Sequence, residues 1–170
     1  MTWRTALEIT GAIGVPLAGG FLGSMWTVPE VKGWYKTLKR PSWNPPDWLF
    51  PPMWALLYVC MGVSSWLMYQ EPKSTLPLAL YGTQLLFNFA WTPLFFGLHR
   101  LDWALVDIIA LDVTLIGTII TAFRLKPEAP VAAILLLPYL AWVGVATALN
   151  AWIIRNNPPQ KTKGAKDDGL

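Results

Sequence analysis

Tryptophan, tyrosine, carboxyl and amide side chains recur at helical spacing in four apolar segments of the sequence. Trp54 and Tyr58 are four residues apart, and so are Trp103 and Asp107. Two further segments carry the same kind of face, namely Gln84, Asn88 and Trp91 in one and Tyr139, Trp142, Ala146 and Asn150 in the other. Residues three or four apart share a helix face, and polar groups inside a bilayer are costly unless they meet partners. These faces are therefore predicted to point into a helix bundle, where indole rings would suit a flat, apolar ligand.

The same residues also have a purely structural interpretation. Trp and Tyr near helix ends form interfacial belts, and Asn and Gln side chains join helices by hydrogen bonds. On spacing alone, both interpretations stay open. Under the structural one, Asn88 is expected to hold its helix to a neighbour.

The residue types and their spacing do not indicate a catalytic site or a metal site. Asp107 and Asp112 are five residues apart, which turns them about 140° from each other on a helix, so they do not share a face as an acid/base pair would. Asp107 is expected to bond nearby backbone or Arg100. The single cysteine, Cys60, excludes an intrachain disulfide, and with only one histidine, His99, a zinc site is not expected. We predict no catalytic residue, no metal and no cofactor, and expect His99 to be solvated or interfacial.

Composition and hydropathy predict an all-α membrane protein. The 170 residues are 54% hydrophobic and 14% charged, with a mean hydropathy of +0.41. Each of five apolar runs approaches the roughly 20 residues that cross a bilayer as a helix. They predict a bundle of five transmembrane helices at about 6–26, 48–69, 76–97, 103–124 and 131–154. Residues 1–155 form this domain in the lipid bilayer, and 156–170 are expected to be a disordered polar tail. The net charge of +3 gives no reason to expect a nucleic-acid partner.

The first connection, loop one (about 27–47), is the long one, and it leads into a stretch of unusual composition. The sequence KRPSWNPPDWLFPPMW from Lys39 to Trp54 holds five prolines and three tryptophans. Asn44 is predicted to cap a helix whose first turn holds Pro45 and Pro46. Long ordered loops are often functional, so loop one is expected to act as a lid.

The distribution of basic residues predicts the orientation of the bundle. Loop one, the third-to-fourth connection and the C-terminus carry Lys32, Lys36, Lys39, Arg40, Arg100, Arg155, Lys161, Lys163 and Lys166. The opposite side carries only Arg4, Lys73, Arg124 and Lys126. By the positive-inside rule, loop one and the C-terminus face the cytoplasm.

Several long segments, in a fixed order, resemble the translocator protein family, also called tryptophan-rich sensory proteins or peripheral benzodiazepine receptors. They are GGFLGS (19–24), WY (34–35), KRPSWNPPDW followed by PPMWALLY (39–58), FNFAWTPLFFG (87–97), WALVD (103–107) and PYLAW with ATALN (138–150). The resemblance covers nearly the whole chain and fails only at the termini.

This resemblance implies a receptor-like membrane protein that binds a tetrapyrrole (porphyrin or haem) in a cavity within the bundle. Cholesterol and benzodiazepine-type compounds are further candidate ligands. The cavity would be lined by Ser24, Trp54, Trp91, Trp103, Trp142, Ala146 and Leu149, and we add Tyr58 by its helical spacing and Trp34 from loop one. The alternatives are a light-dependent porphyrin-degrading enzyme, with Trp54 and Trp142 as redox-active rings, and a transporter of sterol or porphyrin.

Three finer expectations also follow from the resemblance. Leu149, Trp152 and Arg155 occupy the position of the family's proposed cholesterol motif, with Trp152 where that motif has a tyrosine. Gly19 and Gly23 form a small-xxx-small pair that permits close helix packing, either within the bundle or in a homodimer. The expected location is the mitochondrial outer membrane, with a bacterial membrane as the alternative.

Overall fold

The chain folds into a bundle of membrane-length helices in the computed structural model, which describes residues 2–126 and 130–159. The helices are α1 (Trp3–Lys32), α2 (Phe50–Tyr69), α3 (Thr75–Thr92), α4 (Leu101–Leu125), a short α5 (Val131–Ile134) and α6 (Leu137–Asn156). Those residues contain no strand, so the predicted all-α class is confirmed.

Within residues 2–126 and 130–159, four helical segments are long and apolar enough to cross a membrane, namely Trp3–Lys32, Asp47–Tyr69, Leu101–Leu125 and Val131–Asn156. The fourth of these joins α5 to α6. Helix α3 completes the five-helix bundle, and its buried polar residues Gln84 and Asn88 lower its apolar character.

Helix α1 continues six residues beyond the predicted end at Trp26, through Pro29, and stops at Lys32. Apolar character ends near Trp26, but a helix needs no apolar residues once it leaves the hydrocarbon, so hydropathy underestimates its length. Gly33 closes it, because its amide donates to the carbonyls of Pro29 (3.1 Å) and Glu30 (3.2 Å). Loop one is correspondingly shorter and spans 33–49.

The predicted cap at Asn44 is wrong. The Asn44 side chain instead accepts a hydrogen bond from the Tyr35 hydroxyl (2.9 Å) and donates to the Pro45 carbonyl (2.8 Å). A 3₁₀ turn at Asp47–Leu49 leads into α2, whose first turn holds Pro51 and Pro52. Proline is well tolerated there because the first amides of a helix have no intrahelical acceptor.

The helices pair closely, with α3 against α4 and α1 against α2 making the most extensive contacts, and α4 also packing on α6. At Gly19 and Gly20, α1 approaches its neighbours so closely that a β-carbon would overlap the rings of Phe89 and Tyr58 respectively. Gly23 faces Thr92 at ordinary contact distance. In this structure Gly19, Gly20 and Gly23 therefore serve packing within one bundle.

The end of α3 departs from regular helix. A π-helical turn, Pro93–Gly97, closes with a hydrogen bond from Leu98 to the Pro93 carbonyl (2.8 Å). His99 follows with a φ of 56°, the only positive value at a non-glycine residue in the described chain. This geometry sets the short connection to α4. At the C-terminus, Asn156 ends α6 and residues 157–159 follow, while 160–170 of the predicted tail lie outside the described residues.

Candidate functional site

Aromatic side chains of α2 and α6 form a group that we call the inner ring cluster: Phe50, Trp54, Tyr58, Tyr139 and Trp142. Trp54 stacks on Tyr58 with centroids 5.3 Å apart and meets Tyr139 edge-on at 6.2 Å. Phe50 meets Trp142 edge-on at 5.6 Å. Ala146 lies one turn beyond Trp142 and packs against the same apolar core. The structure thus brings four of the predicted site residues, Trp54, Tyr58, Trp142 and Ala146, into one apolar region.

A buried hydrogen-bond network joins this cluster to α3. The Tyr58 hydroxyl donates to Asn88 Oδ1 (3.0 Å), and Asn88 Nδ2 donates to the Tyr139 hydroxyl (2.9 Å). The Tyr139 hydroxyl then donates to Gln84 Oε1 (3.1 Å). The Nε2 atom of Gln84 has no partner among the described residues. Asn88 therefore links α3 to both α2 and α6, and the network leaves one amide available for a further polar group.

Tyr139 has no exposed surface, and sequence reasoning did not include it among the site residues. The signal was present, because Tyr139 begins the stripe that continues through Trp142 and Ala146. Its hydroxyl is the central member of the network, since it accepts from Asn88 and donates to Gln84.

A second aromatic group, the outer ring cluster, lies under loop one and consists of Trp34, Tyr35, Trp91, Phe95 and Phe96. Trp91 stacks on Phe95 at 4.7 Å, and Trp34 meets Phe95 edge-on at 5.9 Å. Leu149 is buried in the same core, and Trp91 packs against both apolar cores. Trp91 thus connects the two clusters.

Loop one is fastened to the α3–α4 connection by a three-residue contact. The Trp34 ring lies flat on the His99 ring at 3.9 Å, and His99 Nε2 lies 3.1 Å from Glu30 Oε2. The side chains of His99 and Glu30 are largely buried. Of the two alternatives expected for His99, solvated or interfacial, the solvated one is therefore wrong. Its ring instead lies against Trp34.

Tyr35 is the most deeply buried ring of loop one, with 3% of its surface exposed. It packs edge-on against Phe96 and donates its hydroxyl proton to Asn44, while the Arg40 guanidinium lies 5.1 Å from its ring. Burial raises the pKa of the Tyr35 phenol to about 12, against the smaller opposing effect of Arg40. The phenol therefore stays neutral at any physiological pH.

Two residues assigned by resemblance lie apart from these clusters. Trp103 is 55% exposed, and the Arg100 guanidinium lies 5.9 Å from its ring. The Ser24 hydroxyl donates to the Phe21 carbonyl of its own helix at 2.6 Å. In this conformation neither belongs to an apolar core that holds the other candidates.

The three residues of the proposed sterol segment do not share one exposed strip. Leu149 is buried, Trp152 is half-buried against the outer apolar core, and Arg155 is exposed. Only part of this segment is therefore accessible to a lipid alongside α6.

The three carboxyl groups of α4, those of Asp102, Asp107 and Asp112, differ in their surroundings. Arg100 pairs with Asp102 (2.9 and 3.1 Å), so of the two partners expected for Asp107, nearby backbone or Arg100, the second is wrong. Asp107 is buried, and its Oδ2 has no partner among the described residues. Asp112 accepts a hydrogen bond from the Thr147 hydroxyl (2.7 Å), which ties α4 to α6 and gives this residue a structural role.

Two cavities lie outside the ring clusters. One, of about 580 Å³, is an open basin in loop one lined by Leu38, Arg40, Pro41, Asn44, Pro46 and Asp47. The other, of about 370 Å³, is an apolar groove between α1, α2 and α3. Within the inner ring cluster Trp54 contacts both Tyr58 and Tyr139, so a ligand inserted between these rings must part them.

Comparison with known proteins places these features in a family. Residues 12–155 match the TspO/MBR family. The chain is 39% identical to the translocator protein of Homo sapiens over 91% of both chains. It is 38% identical to the tryptophan-rich protein TspO of Chlorobaculum tepidum (91% of this chain, 99% of that protein) and 36% identical to the tryptophan-rich sensory protein of Cereibacter sphaeroides (92% and 94%). This chain is an integral, multi-pass membrane protein that belongs to the TspO/MBR family.

Proposed function

We propose that the chain binds a flat tetrapyrrole, such as a porphyrin, at the inner ring cluster. The observation that carries this proposal is the stack of Trp54 on Tyr58 with Tyr139 edge-on beside it, backed by buried amides. Aromatic contacts supply about 0.5–1.5 kcal/mol each beyond area burial, and a planar macrocycle offers faces for several of them.

Orientation would come from the polar network behind the rings. Gln84 Nε2 is a buried donor without a partner among the described residues. A ligand carboxylate or carbonyl that reached it would remove the cost of an unsatisfied amide. This combination of apolar walls and a few polar groups is typical of small-molecule sites.

Loop one would control access to this site. Loop one is fastened at Trp34 by the ring of His99, and its own Tyr35 is buried. We therefore retain the prediction that loop one acts as a lid, and hydrogen exchange in 31–39 should slow when ligand binds. Unchanged exchange with binding confirmed would refute the lid.

The binding test is a porphyrin titration followed by quenching of intrinsic tryptophan fluorescence. Ala146→Phe adds a ring next to Trp142 and should abolish quenching by filling the site. Ala148→Phe is the matched control, because Ala148 is an exposed alanine two residues further along α6. Equal affinity of both variants and the wild type would place the ligand elsewhere.

Light-dependent degradation of the porphyrin is a second candidate function. It is favoured by the Trp54–Tyr58 stack, because two oxidisable rings in contact can pass an electron between them. The absorbance spectrum of bound porphyrin after illumination separates the two functions. A binder leaves the spectrum unchanged, whereas an enzyme bleaches it.

The proposal also covers sterol binding, ligand transport and the membrane in which the protein is located. Cholesterol would contact the exposed side of Trp152 and Arg155, and benzodiazepine-type compounds would compete with porphyrin. Flux into vesicles would reveal transport of sterol or porphyrin. We place the chain in the mitochondrial outer membrane, as a homodimer. Relatives come from mammals and bacteria, so cell fractionation of the source organism is the deciding measurement.

A further inference from the structure

The apolar groove between α1, α2 and α3 lies apart from both ring clusters, toward the membrane side that carries the N-terminus. Its walls include Val15 and Pro16 of α1, Trp66 of α2, and Leu78 and Leu85 of α3. It forms because α1 touches α3 through Gly19 and Gly23, near one end of the bundle. The groove itself lies nearer the start of α1, beside Val15 and Pro16.

Two polar groups interrupt the apolar lining, at different depths. Glu8, at the rim, accepts hydrogen bonds through one oxygen, Oε2, from Trp66 Nε1 (3.3 Å) and Gln70 Nε2 (3.4 Å) near the end of α2. Deeper, Tyr81 is 8% exposed, and its buried hydroxyl forms no hydrogen bond of ordinary length with the described residues. Ser65 lines the groove beside it and donates its own proton to the Gly62 carbonyl (2.8 Å), which leaves its oxygen able to accept weakly from the Tyr81 hydroxyl.

The rim carboxylate has no basic partner in the described part of the chain. Arg4, one helical turn earlier, is directed to the Trp3 ring, with its guanidinium 5.5 Å from the ring centroid. No ion pair within 4 Å joins Glu8 to a Lys or Arg of the described residues. The Oε1 atom of Glu8 is therefore free to accept from a cation at the membrane surface, a level at which Trp66 and Tyr69 are also typical.

We propose that this groove binds one membrane glycerolipid with an amine head group. The ammonium group pairs with Glu8 at the rim, an ester carbonyl accepts the proton of the buried Tyr81 hydroxyl, and an acyl chain lies along the apolar wall of Val15, Leu78 and Leu85. Charge complementarity at the rim and a weakly bonded donor inside the groove select this ligand class. A sterol carries one hydroxyl and no positive charge, so it matches only one of the two groups.

Photo-crosslinking with phosphatidylethanolamine that carries a diazirine in its acyl chain tests the proposal on the full-length protein. In wild type the adduct should map to peptides of α1, α2 or α3 that line the groove. Val15→Trp should abolish labelling, because an indole at this exposed position fills the groove. Val113→Trp is the matched control, an equally exposed valine of α4 outside the groove, and should label like wild type.

Head-group selectivity supplies the second measurement. Glu8→Gln should lower labelling by phosphatidylethanolamine about two- to fivefold, as expected for one interfacial ion pair, and leave phosphatidylglycerol unaffected. Glu71→Gln, on the same side but paired with Lys126 at 3.5 Å, should change neither. Tyr81→Phe, which keeps the ring, should weaken labelling by both ester lipids. Three results would each overturn the proposal. They are labelling of Val15→Trp equal to that of the wild type, equal labelling of the wild type by lipids with different head groups, and displacement of the probe by cholesterol.

Discussion

The side-chain amide of Asn157 forms two hydrogen bonds with the backbone of Lys39. Asn157 Oδ1 accepts from the Lys39 amide at 2.8 Å, and Asn157 Nδ2 donates to the Lys39 carbonyl at 3.0 Å. The same Nδ2 donates to the Ile153 carbonyl of α6 (2.9 Å). The end of the last helix thus holds loop one, which lies 118 residues earlier in the chain.

Replacing Asn157 with alanine should release loop one from α6. Loss of two hydrogen bonds is worth about 1–2 kcal/mol, so amide exchange of residues 38–40 should accelerate about 5- to 30-fold. Asn156→Ala is the control, because the Asn156 side chain bonds only the Trp152 carbonyl of its own helix. If both variants exchange like wild type, the amide does not hold the loop in solution.

Asn88→Ala should destabilise the bundle by about 1–2 kcal/mol, because it breaks two interhelical hydrogen bonds at once. The measurement is thermal unfolding in detergent, with porphyrin affinity determined separately on folded protein, where it should stay nearly unchanged. Thr83→Ala serves as the control, since its hydroxyl bonds only the Ala79 carbonyl of α3. A large loss of affinity at unchanged stability would instead place Asn88 against the ligand.

Trp54→Phe and Trp142→Phe should each weaken porphyrin binding modestly, because a ring and most apolar area remain. Under the enzyme alternative both variants would keep binding and lose light-dependent bleaching, since phenylalanine is much harder to oxidise than tryptophan. Trp103→Phe is the internal control and should leave quenching unchanged, given the outward position of Trp103. A greater effect at Trp103 than at Trp54 would argue for the cavity lining implied by resemblance and against the conformation described.

Alkaline pH should loosen loop one through Tyr35. The unfolded phenol ionises near pH 10, whereas burial raises the folded pKa to about 12, so the unfolded state releases its proton first. Stability from this group is complete below pH 10 and is lost as pH rises toward 12, at no more than about 1.4 kcal/mol per pH unit. Wild type should therefore lose thermal stability more steeply than Tyr35→Phe between pH 9.5 and 11.5. Parallel curves would show that Tyr35 does not contribute.

The orientation of the bundle can be measured with single cysteines in a Cys60→Ser background. Lys36→Cys in loop one should react with an impermeant reagent added from the cytoplasm, and Lys73→Cys between α2 and α3 should be protected. Both lysines are exposed, so a difference in labelling would reflect the side of the membrane and not burial within the protein. The reverse pattern would invert the predicted topology.

The helices and their inward faces could be predicted because each depends on residues close in sequence. Trp54 and Tyr58 share a face by their four-residue spacing, and their rings are stacked in the structure. The buried positions of Gln84 and Asn88 likewise follow from the cost of polar groups in a bilayer.

Contacts between segments far apart in the sequence could not be predicted, because they leave no periodic pattern of residues. Nothing periodic connects Lys39 to Asn157, and the stack of Trp34 on His99 depends on a π-helical turn and a positive φ that local sequence does not specify. The outward position of Trp103 depends on the rotation of α4 about its axis, which packing sets. Periodicity identified the helix faces but not which neighbour each face meets.

The close approach of α1 to Tyr58 connects the proposed porphyrin site at the inner ring cluster with the proposed lipid groove. Gly20 lies so near the Tyr58 ring that a ligand pushing this ring toward α1 must also move α1. The same helix forms one wall of the lipid groove through Val15 and Pro16. If a bound lipid changes the affinity for porphyrin by some factor, bound porphyrin must change the affinity for the lipid by the same factor. If both proposals hold, the lipid composition of the membrane would act as an effector of the inner site.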